Sequence, residues 1–290
     1  MATDTLPDEG ELRLGAVMLP PGRRIVPQEG PGEPVAWVTT QPVPDPGRVW
    51  SALSDAHLET GLVPIVLTDG EKDDDFYFRH PSGVTELDHL DAADMLQKLW
   101  EQGVSGDWDS EKAATLAPFS SQFPGLAPAE DSRLSMAQRQ QILDSLPPAP
   151  IGLVPAGRPA DVLPTVGWIT FDEFEEPFPA NPVWIAAVLR SWETRFGARL
   201  LNVGPGAEIR LLAERPPRSA EAAERLAAEH FAFCDESAGQ GLHDISGIAA
   251  SLVDAPVWTC WWGPSTSRDG GEASPGGEEA SPGDQPASSE

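Results

Sequence analysis

The stretch "AEHFAFCDES" (residues 228–237) places His230 and Cys234 four positions apart and follows them with Asp235 and Glu236. Imidazole nitrogen and thiolate sulfur are preferred zinc ligands, and an i, i+4 spacing puts two of them on one side of a helix. His243 and Cys260 are the candidates to complete a four-ligand site. The same pair could act as a cysteine nucleophile beside a base. Helical spacing argues against both. Ala223, Leu226, Ala227, His230, Phe231 and Cys234 fall on one apolar face, with Glu221, Glu224, Arg225, Ala228 and Asp235 opposite and Glu229 near the boundary. A thiol there behaves as a small hydrophobe, and a buried imidazole needs a carbonyl or carboxylate partner. No CxxC or HExxH spacing supports a metal. The expectation is core packing. A metal site on His230, Cys234, His243 and Cys260 is the alternative, and no catalytic or cofactor-binding residue is assigned.

Other stretches offer less chemistry. "DGEKDDD" (Asp69 to Asp75) lacks the glycine and glutamate of a calcium loop and reads as a solvated acidic turn. "NVGPGAE" has no lysine or serine at phosphate-loop spacing and reads as a hairpin turn. His80 and His89 read as surface residues, and His57 as core. In "VWTCWW" (Val257 to Trp262) strand alternation sends Trp258 and Cys260 to one face and Trp261 to the other. Trp261 and Trp262 are the candidates for a partner-binding patch if they are exposed.

The elements that must position these residues are well punctuated. "PVAWVTT" (Pro34 to Thr40) and "LVPIVLTD" (Leu62 to Asp69) read as buried strands. Between them Asp45 and Pro46 start a helix that Gly61 stops, with Val49, Trp50, Leu53 and His57 on one face. A strand–helix–strand unit predicts parallel pairing. Further helices are expected from Asp88 to Gln102, from Ser135, after Asn181, from Ser219 and from Asp244. "IGLVPA", "ARLLNV", "EIRLLAER" and "VWTCWW" supply strands, the middle two as a hairpin, with Leu212 placing the second under cover on both faces. The mixture implies an α+β class: a mixed α/β sandwich whose mixed sheet is covered by amphipathic helices. We divide the chain into a flexible N-terminus (1–10), an N-terminal α/β region (11–150), a C-terminal α+β domain (151–264) and a disordered acidic tail (265–290). The tail holds six acids and one arginine and nothing aliphatic larger than alanine.

Charge narrows the function. The chain of 290 residues has 46 acidic and 19 basic residues, a net of -27, with ten tryptophans. Such a field repels nucleic-acid backbones and anionic membranes and would attract a basic protein. Two cysteines and an acidic N-terminus with neither a basic n-region nor an apolar h-region fit a cytoplasmic location without disulfides. The leading expectation is a non-enzymatic protein-interaction module, immunity-like or accessory. A metal-assisted hydrolase on His230, Cys234 and His243, or a small-molecule binder with a tryptophan-lined pocket, are the alternatives. Nothing fixes the oligomeric state.

In order, "GWITF", "AVLRSWETRFGARLLNVG", "RPP", "AAEHFAFCDES", "QGLHDISGIAASL" and "VWTCWWG" resemble an uncharacterised bacterial family, a domain of unknown function of the DUF4253 type. The resemblance covers Ile151 to Gly263 and implies a shared α+β fold, with no activity, cofactor or catalytic residue attached. The family's Cys-Pro-Asp is Cys234, Asp235, Glu236 here, and its Trp-Trp-Asp ends instead in Gly263. Both departures argue against chemistry that needs either aspartate.

Overall fold

The computed structural model describes residues 6–27, 32–68, 78, 81, 84–105, 110–168, 182–204, 208–234 and 244–262. It is an α+β protein organised on one eight-stranded mixed sheet in the order β1-β2-β3-β5-β4-β6-β7-β8. β1 (Gly10–Leu14) and β2 (Val17–Ile25) make an antiparallel ribbon at one edge. Sequence reasoning misses both, because Pro20 and Pro21 inside β2 break the strand pattern; such prolines are tolerated towards sheet edges. Residues 6–9, expected to be flexible, are tied down: Arg24 donates to the carbonyls of Leu6 and Pro7 and to the Asp8 carboxylate.

β3 (Ala36–Thr39), α1 (Pro46–Asp55), α2 (His57–Thr60) and β4 (Leu62–Leu67) form the expected strand–helix–strand unit, its helical part ended by Gly61 at φ 71° in the left-handed region. The expected direct pairing does not occur. β5 (Ile151–Pro155) lies between β3 and β4, antiparallel to both. All four residues of β3 and all six of β4 are buried, so each needs a neighbour, and a crossover motif alone does not say which strand supplies it. The Asp45 side chain makes no cap bond; Pro46 sets the first helical turn instead. The two halves of the chain therefore share one sheet.

After β4 come α3 (Ala92–Gly103), capped by Asp91, the short α4 (Ser110–Thr115), and α5 (Met136–Asp144), whose Ser135 and Gln138 make a capping box. Beyond β5 lie α6 (Val162–Val166), α7 (Pro182–Phe196), β6 (Arg199–Val203), β7 (Glu208–Leu212), α8 (Ala220–Phe233), α9 (Ile245–Leu252) and β8 (Val257–Trp261). β6 runs parallel to β4, and β6, β7 and β8 form an antiparallel meander.

The helices cover both faces. Trp50 and Leu53 of α1 and Leu143 of α5 pack on Leu62, Val66, Leu153 and Leu212. α3, α6, α7, α8 and α9 pack on the opposite face, against Val63, Ile65, Ile209 and Leu211. Period-two alternation thus splits β4 and β7 between the cores, and Leu212 is covered as expected. Among the described residues no helix is long and apolar enough to cross a membrane.

Candidate functional site

α8 and β8 bring three of the four metal candidates together. Ser219 caps α8 by accepting from the Ala222 N–H, and the helix then carries His230 on its last turns and Cys234 at its C-cap. β8, held in register on β7 with Cys260 opposite Ile209, turns Trp258 and Cys260 inward as alternation requires. A ring nitrogen of His230 and the sulfurs of Cys234 and Cys260 all lie within 4.8 Å of one another. Around a tetrahedral zinc, such atoms stand roughly 3.5–3.8 Å apart, so closing on a metal needs shifts of about 1 Å or less. His230 and Cys260 are fully buried and Cys234 nearly so.

Aromatic rings fix the imidazole. The His230 ring stacks on Trp192 at 4.5 Å and 14°, and Trp258 meets it edge-on at 5.6 Å. The Cys234 thiol lies 3.6 Å from the carbonyl oxygen of His230, placed to donate to it. A metal would displace that proton, because thiolate is the ligating form. One imidazole and two thiols suit a borderline or soft cation and do not suit calcium or magnesium.

Next to this cluster sits a group that sequence reasoning misses. Glu229, placed at the edge of the apolar face, is fully buried. Its carboxylate accepts from the Arg195 guanidinium through both oxygens, at 2.7 and 2.5 Å, from the Trp192 indole N–H at 2.7 Å, and from the Ala127 N–H at 2.6 Å. Arg195 also donates to the Ala127 carbonyl. Four donors thus saturate one carboxylate in a dry setting. The partners come from α7 and from the segment before α5, more than thirty positions away, and no local spacing signals them. A second pair, Arg190 bidentate on the buried Asp161, anchors α7 to the turn before α6; the bond to Asp161 drives the guanidinium pKa above its ordinary value, despite burial.

The other candidates fall elsewhere. His243, His80, Asp69 to Asp75 and the acidic tail lie outside the described residues. His89 is exposed, as expected. Trp262 turns inward, 5 % exposed, and its indole donates to the Phe233 carbonyl; Trp261 is half-buried. His57 leaves the face of α1, because the helix breaks at Ala56, and its Nε2 meets the Ala156 carbonyl at 2.9 Å. Trp37, Trp100, Trp168, Trp192 and Trp258 are buried core residues, while Trp50 floors a cleft.

Residues 150–263 match a family model described as a domain of unknown function, DUF4253, over the span that the motifs indicate. No curated protein and no solved structure matches the chain.

Proposed function

We propose that this chain, with a DUF4253 domain over residues 150–263, is an acidic, non-enzymatic protein-interaction module whose fold is locked by a transition metal on His230, Cys234 and Cys260. The convergence of three soft ligands from two elements, all buried, carries the metal reading. A catalytic metal keeps a coordination position open to water, whereas a structural one has all four filled; three ligands leave a fourth place to fill, and burial of 98 % or more at each of the three favours a fourth protein donor over water. It speaks against the metal-assisted hydrolase. Zinc is the first choice of cation for this donor set. The centre would clamp the end of α8 to the edge strand β8.

Metal content of the purified full chain tests this. About one equivalent of zinc, lost in Cys260→Ser, is the expected result; less than about a tenth of an equivalent of any transition metal would overturn it. The interaction half rests on a separate observation, the net charge of -27, which favours a basic protein partner. Its test is a cross-linked pull-down from the native host at low salt. An empty result there counts against the partner and leaves the metal measurement standing.

A further inference from the structure

One region of this acidic molecule gathers cations. Two depressions, of about 450 and 350 Å³, meet at Asp55 and Arg199, where the ends of α1 and α7 approach the first residues of β4 and β6. Arg158 and Arg199 line the larger; Arg133, Arg139, Arg199 and Arg215 line the smaller. Over both depressions five arginines stand against three acids, Asp55, Glu193 and Glu214; the larger alone balances Arg158 and Arg199 against Asp55 and Glu193, and the excess of two lies on the side of the smaller, with Arg199 shared by both.

The partners of these arginines sharpen the picture. Arg139 lies 3.1 Å from Glu214, and Arg158 is 3.6 Å from Glu193. Arg215 uses its donors on the carbonyls of Thr194 and Arg195, and among the described residues no ion pair holds it. Arg199 is half-buried at the start of β6, and among the described residues its guanidinium has neither a carboxylate within 4 Å nor a hydrogen bond. A partly desolvated cation with acids in large surplus elsewhere is the local signature of a place kept for an anion. Trp50, Val63, Pro64 and Leu200 give the larger cleft an apolar floor. On its wall the Glu193 Oε2 is buried and accepts no hydrogen bond.

We propose that this cleft binds a small molecule with an apolar body and an oxyanion group, carboxylate or phosphate, with Arg199 as the residue that takes the anion and Glu193 facing a donor on the same ligand. The site is independent of the metal centre.

Calorimetric titration of the full chain at fixed ionic strength tests it, with phenyl phosphate and benzoate as probes and benzyl alcohol as the neutral counterpart. The expected result is one saturable site for at least one of the two anions, with a dissociation constant of about 1 mM or tighter. Whichever anion binds more tightly identifies the acid group. Arg199→Met should weaken it at least about tenfold, the loss expected of a charge-assisted contact. Arg210→Met, on an exposed arginine already paired with Glu208, should leave it unchanged. Ser54→Phe, which fills the mouth from α1 without removing charge, should abolish it even if Arg199→Met fails to fold. No saturable heat up to about 10 mM with either anion, equal binding of benzyl alcohol, or undiminished affinity in Ser54→Phe would each overturn the proposal.

Discussion

The surroundings of Glu229 and those of Arg199 hold opposite halves of one electrostatic problem. Glu229 is a carboxylate with no exposure, and four donors converge on it. Arg199 is a guanidinium with partial exposure and, among the described residues, no carboxylate within 4 Å, although the chain has acids to spare. Folding satisfies the first completely because a buried ion without partners costs several kcal/mol, at roughly the scale of a domain's whole stability. It leaves the second open because water reaches it, and a solvated site can wait for a ligand.

Breaking the saturated side should have the largest effect. Glu229→Ala would leave Arg195, the Trp192 indole and the Ala127 N–H without their acceptor, and urea unfolding should lose about 3–5 kcal/mol. Glu229→Gln keeps two acceptor–donor contacts and should lose less. A loss under about 1 kcal/mol for the alanine variant would mean that water replaces the carboxylate, and the contrast with Arg199 would fail.

The neighbouring cluster gives the next effect. With metal at about a hundred times its dissociation constant, binding adds roughly 2.7 kcal/mol, or about 5–10 °C in a protein of this size. A chelator should therefore lower the wild-type melting temperature by that amount and leave Cys260→Ser unmoved. An equal shift in both proteins would detach the effect from these ligands.

These two regions also differ in how far the sequence discloses them. The face that carries His230 and Cys234 is visible in α8, since helical period places neighbours three and four apart, and strand period turns Cys260 inward with Trp258. Their meeting is not visible, because it depends on β8 docking beside β7 in a register that only the folded sheet displays. The same limit hides β5 between β3 and β4: local pattern tells that a strand is doubly buried and does not say which strand lies alongside. Glu229 is misplaced for a different reason. A helix wheel leaves it at the boundary of the apolar face, and the distant Arg195, Trp192 and Ala127 make its full burial tolerable. His57 is lost to one residue of chain geometry, the break at Ala56.

On the open side the expected changes are smaller. Arg199→Met should alter unfolding free energy by no more than about 0.5 kcal/mol, since it removes no bond within the described protein. Its effect belongs to anion affinity, and a large destabilisation would show that the guanidinium is structural after all.

The smallest effect separates Glu130 from Glu229, two carboxylates that both cap backbone N–H groups. Glu130 accepts from the Arg218 and Ser219 N–H groups at the entrance to α8, at 2.5 and 3.1 Å. Partial burial alone would push its pKa up, but these bonds and the Arg218 charge outweigh it and hold the group below its ordinary value. A depressed folded pKa stabilises the native state above the unfolded value, and that contribution disappears as pH falls through the folded one. The stability difference between wild type and Glu130→Gln should thus be full at pH 7 and shrink only as pH falls below the ordinary carboxylate range toward the lowered folded value. Solvent around Glu130 keeps the difference small. A gap that does not shrink at all as the solution is acidified through the carboxylate range would assign the role of Glu130 to shape.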